Sequence, residues 1–238
     1  MTNRPDITLV IPALNEEKNI SSAIRKCFAA CKRFGIDSEI VVVDDGSRDR
    51  TPVILRELKK KHSKLNVISH KIPSGIGAAF MAGVQKARGV SVVMIPGDNE
   101  NRPEDILRFM GLMKQVDIIV PFVHNAELRN RWRRVISSLY RFIISFSFGT
   151  TLNYYNGTVI YRTRLLQALP IHSRGFFYQA EILIRALRRG AIFAEVPVLL
   201  QNRGHGKSKA ISLKSLGGVI SDFLRLFWEI HFLRAETR

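Results

Sequence analysis

Residues 90–100 read VSVVMIPGDNE, an apolar run that ends in proline and glycine and is followed by acidic residues. The apolar part predicts a buried strand, and Pro96-Gly97 predicts its end. Alternate side chains of an extended chain point to the same side, so Asp98 and Glu100 can converge on one cation. Oxygen ligands with room for water and phosphate suit Mg²⁺ or Mn²⁺. The stretch therefore predicts a strand that delivers a metal site to the edge of a sheet.

The pattern of an apolar run followed by polar residues recurs through the first half of the chain. Predicted strands cover 7–11, 39–43, 66–69, 90–95 and 117–120, and predicted helices cover 15–34, 51–61, 75–88 and 103–114. Strands that alternate with helices at this spacing indicate an α/β fold with a mainly parallel central sheet and helices on both faces. Ligands bind beyond the carboxyl ends of such strands. Asp44 and Asp45 follow the second strand, so we group them with Asp98 and Glu100 in one site.

The second half of the chain carries most of the positive charge. The net charge is +17; residues 1–100 hold 16 Lys or Arg against 11 Asp or Glu, and residues 101–238 hold 21 against 9. A basic half of this kind predicts an anionic partner, which could be nucleic acid, a phosphorylated substrate or acidic lipid headgroups.

The second half also contains predicted amphipathic helices at 129–148 and 212–234, separated by a predicted helix at 177–189 and a strand at 193–200. The first combines arginines with apolar residues at helical spacing and is typical of a helix at a lipid interface. Arg129, Arg131 and Arg134 are candidates for an acceptor-phosphate clamp, because guanidinium groups match phosphate oxygens. Packing of these helices against the core or against a second copy is the alternative interpretation.

Four segments in chain order resemble one protein family. They are VIPALNEEKNI at 10–20, VVDDGSRDRT at 42–51, GIG at 75–77, and EVP at 195–197 followed by RGHGKSK at 203–209. Together they resemble the family 2 glycosyltransferases, and most closely the dolichyl-phosphate mannose synthases and polyprenyl-phosphate glycosyltransferases. The resemblance covers about residues 7–210. It implies a GT-A (Rossmann-like) fold, a nucleotide-diphosphate-sugar donor, a divalent metal and an inverting displacement.

The resemblance assigns roles at the donor pocket. It implies that the nucleoside pocket is lined by Pro12, Leu14 and Glu16, and that the base and ribose are held by Asp44 and Asp45. Gly75 and Gly77 would let the backbone approach the ligand at a helix start. Ordinary turn formation is the alternative for the Asp-Asp-Gly-Ser segment and for the glycines.

The resemblance also assigns the metal site and the catalytic groups. The family's metal motif is Asp-x-Asp followed by Gln or a similar ligand. Here Pro96 stands at the first Asp, Asp98 matches the second, and Glu100 matches the Gln. Asp98 is therefore expected to bind the metal, to contact the donor and to take part in catalysis.

Three further residues complete the expected site. Arg203 and Lys209 would cover the diphosphate and stabilise the departing nucleotide. Glu181 matches the acid that family members place near the acceptor. A solvated basic loop and a first-turn helix acid are the respective alternatives.

We expect residues 1–210 to form the catalytic domain, with a nucleotide-sugar half at 1–120 and an acceptor half at 121–210. Residues 211–238 are expected to form a C-terminal amphipathic helix. The first residues lack the apolar core of a signal peptide, so we expect a peripheral protein on the cytoplasmic face of a membrane. Self-association is left open.

The expected activity is that of a metal-dependent hexosyltransferase. It would move a hexose from GDP-mannose or a UDP-sugar to dolichyl or undecaprenyl phosphate, using Mg²⁺ or Mn²⁺. A lipid monophosphate is already anionic at neutral pH, so it needs positioning more than a general base. No nucleic-acid partner is expected, because acids at the strand ends would repel phosphates unless a metal intervenes.

Three alternatives stay open at this point. A saccharide hydroxyl acceptor, as in cell-envelope polysaccharide synthesis, would need a base such as Glu181. The basic charge would also suit a binding module without enzymatic activity. Pro96 leaves room for a catalytically inactive relative.

Overall fold

The computed structural model describes residues 4–99, 101–125, 131–199 and 213–233. Its strands are β1 (Ile7–Ala13), β2 (Ser38–Asp44), β3 (Leu65–Ser69), β4 (Ser91–Met94), β5 (Ile118–Val123), β6 (Ile160–Arg162) and β7 (Phe193–Val198). Its helices are α1 (Ile20–Arg33), α2 (Thr51–Lys61), α3 (Ile76–Lys86), α4 (Glu104–Leu107), α5 (Arg131–Phe148), α6 (Thr163–Gln167), α7 (Tyr178–Arg188) and α8 (Leu213–Phe232). A 3₁₀ helix, Met110–Lys114, follows α4.

The strands form a single sheet in the order β3-β2-β1-β4-β6-β5-β7. The first four strands in this order are parallel, as are β5 and β7. The short strand β6 runs antiparallel to both of its neighbours, β4 and β5. The expected mainly parallel sheet is therefore confirmed, with one reversed strand that the sequence pattern did not predict.

Helices cover both faces of the sheet, as expected. Alternate residues of β1 and β2 point to opposite faces, so Leu9 and Val42 lie in one apolar cluster while Val10 and Val41 lie in the other. The first cluster is closed by α1, α2 and α4, and the second by α3, α5, α7 and α8. These fully buried Val- and Ile-rich strands form the core on which the loops of the site are mounted.

Two predicted helices differ from the observed ones, and two short elements were missed. Helix α1 begins at Ile20 rather than at residue 15, because residues 15–17 bond to another loop instead of starting the helix. The segment 103–114 divides into α4 and the 3₁₀ helix. The pair β6 and α6 had not been predicted at all.

The two amphipathic helices of the second half are attached to the core along one side. Phe148 at the end of α5 packs edge-on against Phe223 and Phe227 of α8, with ring centroids 5.5 and 6.2 Å apart. The opposite sides expose large apolar residues: Trp132, Val135, Ile136, Leu139, Phe142, Ile143 and Phe146 on α5, and Leu216, Ile220, Leu224, Trp228 and Phe232 on α8. Within the described ranges, every helix is too short or too polar to cross a lipid bilayer.

Candidate functional site

The candidate site lies where three adjacent parallel strands end. Ala13 at the end of β1 is paired with Asp44 at the end of β2. On the other side of β1, Gly97 N donates a hydrogen bond of 3.1 Å to Pro12 O. The loops after β1, β2 and β4 therefore lie side by side at one edge of the sheet, as the positions of the acids had predicted.

The loops after β1 and β2 are joined by reciprocal hydrogen bonds. In each of these bonds a backbone N–H of one loop donates to a side-chain oxygen of the other. The pairs are Asn15 N to Ser47 Oγ (2.9 Å), Arg48 N to Asn15 Oδ1 (2.8 Å), Glu16 N to Thr51 Oγ1 (2.9 Å), Glu17 N to Asp49 Oδ2 (3.0 Å) and Arg50 N to Glu17 Oε2 (3.0 Å). The two loops consequently form one rigid unit beside the strand ends.

The three residues expected at a nucleoside pocket occupy different environments in this unit. Pro12 is buried in β1, and its carbonyl supports Gly97. Leu14 is 37% exposed and offers an apolar surface. Glu16 accepts a hydrogen bond of 2.8 Å from Asn19 Nδ2. Leu14 is thus the member of the three that presents an exposed apolar surface, and its place in a nucleoside pocket stays a prediction.

Asp44 and Asp45 are both buried at the end of β2 but have different partners. Asp44 Oδ1 accepts from Ser47 N at 3.1 Å, which is turn chemistry. Asp45 accepts from Ser74 N (2.9 Å), Ser74 Oγ (2.6 Å) and Gly75 N (3.0 Å), and it pairs with His70 Nδ1 (2.7 Å). Asp45 therefore fixes the loop that leads into α3.

Burial alone would raise the pKa of Asp45, but the hydrogen bonds from Ser74, His70 and Gly75 outweigh it and lower that pKa. The carboxylate is therefore ionised at neutral pH. In this form it can accept all of the hydrogen bonds that it receives.

Gly75 and Gly77 lie against protein backbone at the start of α3. Gly75 has φ +100°, and a Cβ at this position would lie 2.5 Å from Arg174 O. Gly77 N donates to the same oxygen at 2.8 Å, and a Cβ on Gly77 would lie 2.7 Å from Ser173 O. The close approach that requires glycine is therefore to the segment Ser173-Arg174, and the expected approach to a ligand stays a prediction.

The loop after β4 carries the candidate metal ligands. Gly97 packs against Pro12 and Ala13, and Asp98 and Asn99 follow it in a turn in which Asn99 has φ +63°. Asn99 Oδ1 is buried without a hydrogen-bond partner among the described residues. A carboxylate beside an unpaired amide oxygen suits a hard divalent cation, so these residues fit Mg²⁺ or Mn²⁺.

The second expected metal ligand, Glu100, lies outside the described residues. Within the described part of the chain, three or more His, Cys, Asp and Glu residues do not come together in a group that could hold a metal. A site here would therefore combine Asp98 with the Asn99 amide and with ligands from Glu100, water or a substrate phosphate.

Glu181, the acid that we expected near the acceptor, is enclosed by protein groups, and its role at an acceptor stays a prediction. It is 0% exposed in α7, and it accepts hydrogen bonds from Ser173 N (2.7 Å), His172 N (3.2 Å) and Arg185 Nε (3.0 Å). Burial alone would raise its pKa, but the bonds from Ser173, Arg185 and His172 together lower that pKa. Glu181 is thus an ionised anchor for residues 172–173, and this arrangement makes it a weak proton acceptor.

A second residue of α7 holds the segment 153–157, where the acceptor side was expected. Gln179 Oε1 accepts from Gly157 N at 3.1 Å, and Gln179 Nε2 donates to Gly157 O. Glu195 of β7 accepts from Asn153 N (2.7 Å) and Asn153 Nδ2 (2.9 Å). This segment is therefore fixed at both ends by buried or half-buried side chains.

The basic residues assigned to the site are placed only in part. Arg203, Lys209 and Arg129 lie outside the described residues. Arg131 is the first residue of α5, and Arg134 is exposed one turn later. Their roles at a phosphate stay predictions.

Sequence reasoning missed Ser74, Ser173, Arg174 and Arg225, which hold the glycine loop and Glu181 in place. The hydrogen bonds by which they do so join residues between 8 and 97 positions apart in the chain, on different elements. Local patterns of charge or hydrophobicity carry no signal for contacts of this kind.

Comparison with known proteins agrees with the geometry. The sequence model of glycosyl transferase family 2 matches residues 8–183. The chain is 32% identical over 206 residues to the undecaprenyl-phosphate 4-deoxy-4-formamido-L-arabinose transferase of Edwardsiella ictaluri, covering 85% of this chain and 62% of that protein. It is 31% identical over 214 residues to the protein of the same name from Pseudomonas paraeruginosa, covering 88% and 62%. The chain thus spans about three-fifths of the length of these curated relatives.

Solved structures match the fold. Glucosyl-3-phosphoglycerate synthase from Mycobacterium tuberculosis, in complex with Mn²⁺, UDP and glucosyl-3-phosphoglycerate, superposes with a TM-score of 0.66 at 24% identity. The match covers 93% of this chain and 80% of that one. The complex of the same enzyme with phosphoglyceric acid gives a TM-score of 0.68 at 22% identity, with coverage of 93% and 80%. The expected GT-A fold is confirmed.

Proposed function

The chain belongs to glycosyltransferase family 2, and on this basis we propose that it transfers a sugar from a nucleotide-diphosphate donor to a polyprenyl phosphate at a membrane surface. The observation that carries the proposal is the similarity to undecaprenyl-phosphate sugar transferases over 85–88% of this chain. The sugar is a hexose from GDP-mannose or a UDP-sugar, or the arabinose derivative that those relatives are named for.

The donor occupies the edge of the sheet beside the loops after β1, β2 and β4. Leu14 covers the base, and Asp44 accepts from the ribose hydroxyls. Asp98, the Asn99 amide and Glu100 would hold the divalent metal, which, when bound, offsets the negative charge of the diphosphate. Support comes from the unpaired Asn99 Oδ1 and from structural neighbours crystallised with Mn²⁺ or Mg²⁺ and UDP.

The transfer is an inverting displacement. A phosphate oxygen of the acceptor attacks the anomeric carbon from the face opposite the nucleotide, and the bond from that carbon to the diphosphate breaks. The acceptor oxygen is already anionic at neutral pH, so the protein must orient it rather than deprotonate it. Arg203 and Lys209 stabilise the departing nucleoside diphosphate, and the buried Glu181 is not needed as a base.

The acceptor reaches the site along α5 and α8. Both helices expose large apolar residues, and Arg134 and Arg141 lie on α5 among them. An apolar helix face bordered by guanidinium groups suits the membrane interface, because the apolar residues can contact acyl chains while the guanidinium groups contact phosphates. Arg129, Arg131 and Arg134 are the proposed phosphate clamp.

The test is a transfer assay with a panel of GDP- and UDP-sugars, undecaprenyl or dolichyl phosphate in detergent or vesicles, and Mg²⁺ or Mn²⁺. A lipid-linked sugar that disappears with chelator is the expected product. Asp98→Asn should abolish it, because the principal metal ligand is lost.

Other outcomes would count against parts of the proposal. Transfer to a saccharide hydroxyl without any lipid product would show that the acceptor is a saccharide and not a polyprenyl phosphate. Product formation that continues in the presence of chelator would show that the reaction does not require a divalent metal. A wild-type protein that binds no nucleotide sugar would identify a degenerate donor site, with Pro96 as the first residue to restore to Asp.

A further inference from the structure

A buried charge network surrounds Glu181 and extends to α8. Arg185 is almost fully buried, and it pairs with Glu181 one turn away in α7 and with Glu229 of α8. Arg225, also on α8, lies 3.6 Å from the Glu181 carboxylate and donates to Ser173 Oγ at 3.2 Å. α8 is therefore attached to the core by ionic contacts as well as by its phenylalanines.

The segment held by this network is the one that contacts the glycine loop. Ser173 N donates to Glu181, while the next carbonyl, Arg174 O, accepts from Gly77 N and, at 3.4 Å, from Ala78 N. Gly75 N in turn donates to Asp45 at the end of β2. A continuous series of contacts thus runs from α8 through residues 173–174 to the loop at the donor side.

The energetics of the network favour a fixed geometry. A buried carboxylate is costly unless its oxygens are hydrogen-bonded, and removal of one partner leaves the others unsatisfied. Glu181 satisfies its charge with Arg185, Arg225 and the amides of residues 172–173. Arg174 follows these two residues directly in the chain. By holding the amides of residues 172–173, the Glu181 carboxylate therefore also determines where Arg174 O lies.

We propose that Glu181 and Arg225 are positioning residues for the donor pocket, since together they set the segment Ser173-Arg174 against Gly75 and Gly77 and so fix the loop held by Asp45. This inference rests on the proposed function, because the proposed function places the donor beside Asp44 and Asp45. Its consequence is that α8, whose outer face is apolar, is needed for donor binding as well as for the lipid side.

The first readout does not depend on any ligand. Hydrogen–deuterium exchange of the peptide covering residues 74–80 would be compared in wild type, Arg225→Met, Arg225→Lys and Arg56→Met. Arg56 is an exposed arginine of α2, so its variant controls for the loss of one positive charge. We expect Arg225→Met to speed exchange of this peptide about five- to tenfold, as for the loss of one typical intramolecular hydrogen bond. Arg225→Lys should restore part of the protection, and Arg56→Met should match wild type.

The second readout is the affinity for UDP and GDP by calorimetry, together with steady-state kinetics. Arg225→Met should raise the donor KM and the nucleotide Kd about threefold or more, with kcat and the acceptor KM nearly unchanged. A variant that was merely less stable would lower the active fraction, and therefore kcat, at constant KM.

The outcomes separate the two proposals. Exchange in residues 74–80 that is the same in Arg225→Met and Arg56→Met would overturn the positioning role whatever the activity. Faster exchange with an unchanged nucleotide Kd would overturn the link to the donor. Faster exchange in a protein whose wild type binds neither nucleotide would overturn the proposed function and the donor role with it, while the contact between α8 and the glycine loop would stand.

Discussion

At the Asp45 carboxylate, donors from residues 70–75 converge on the end of β2. The Asp-Asp-Gly-Ser sequence was sufficient to place this acid at a strand end, and the structure confirms that location. It was not sufficient to identify the partners, because Ser74 and Gly75 lie 29 and 30 residues downstream on another loop. The same limit applies to Glu181, whose surroundings depend on Arg225 of α8.

Asp45 should make the stability of the protein depend on pH. Its folded-state pKa lies below the ordinary value of 3.8, so its stabilising effect is present above pH 3.8 and is lost as the pH falls through the folded pKa. Asp45→Asn should lower the free energy of unfolding by about 1–3 kcal/mol at pH 7, because an amide cannot accept from all these donors. Urea unfolding between pH 7 and pH 3 measures the difference.

The difference in unfolding free energy between wild type and Asp45→Asn should be constant above about pH 5 and should shrink below pH 3.8. Asp37→Asn is the matched control, because Asp37 pairs with Lys64 on the surface and exposed ion pairs contribute little. A difference that grows on acidification would show that the folded-state pKa of Asp45 is raised instead.

Gly75 should be intolerant of any side chain. Its φ of +100° and ψ of 155° belong to a region that is essentially restricted to glycine, and a Cβ would lie 2.5 Å from Arg174 O. We expect Gly75→Ala to lower the free energy of unfolding by about 3 kcal/mol. Thermal and urea unfolding provide the measurement.

Gly111 provides the control for Gly75. It lies in the 3₁₀ helix, and a Cβ there would meet nothing within 4 Å. Gly111→Ala should therefore change the unfolding free energy by less than about 1 kcal/mol in either direction. Equal effects of the two substitutions would mean that the backbone at Gly75 relaxes without cost.

Among the elements, long and regular segments were predictable and short ones were not. The helix predicted at 51–61 is α2 with the same bounds, since a Pro at its second position and lysines in its last turn mark both ends. β6 has three residues, which is too short for a periodic pattern, and it exists because β4 and β5 both offer it an edge. Tertiary context, rather than propensity, determines such an element.

At the level of the helix α5, removal of its apolar face should weaken binding to lipid. Phe142 and Phe146 are 65% and 81% exposed and stack with centroids 6.0 Å apart. Burial of each ring in the interface contributes about 1.5–3 kcal/mol, so Phe142→Ser with Phe146→Ser should reduce partitioning into vesicles more than tenfold. Flotation with vesicles measures this, and the melting temperature should stay unchanged because both rings are exposed.

Val53→Ser is the matched control for α5. Val53 is an exposed apolar residue on α2, which packs on the edge strand β3 and on the face of the sheet opposite to α5. It should bind vesicles like wild type. Should the α5 variant instead change a dimer into a monomer while vesicle binding is unaffected, this face would belong to an interface between two copies of the chain.

For the molecule as a whole, the amino-acid composition indicates that a partner is anionic, but it does not identify that partner. A net charge of +17, concentrated in the second half, indicated an anionic partner but fitted nucleic acid, phosphate and lipid equally well. The acids at the strand ends, together with the family match, favour a phosphorylated substrate, and this preference underlies the proposed function. Charge alone could not make this choice, since it carries no information on geometry.

The charge of the whole molecule should appear as salt dependence of membrane binding. The Debye length falls from about 10 Å at 0.1 M salt to about 3 Å at 1 M. Association with vesicles that contain anionic lipid should therefore weaken strongly over this range, and a residual binding should persist through the apolar faces. Vesicles of neutral lipid are the control. An equal salt dependence of binding to both kinds of vesicle would show that salt acts on the protein and not on its attraction to anionic lipid.

The position of β6 in the sheet has a consequence for synthesis on the ribosome. The four strands β1 to β4 are complete once residue 94 has been made, and until β6 is made they can pair only with one another. β5 emerges next, yet its link to β4 is made by residues 160–162, which are translated some forty residues later. Until then the nascent chain carries β4 as an open edge, a site for mispairing with another chain. A pause in translation between β5 and β6 would prolong this exposure, whereas a pause after β6 has left the ribosome would not.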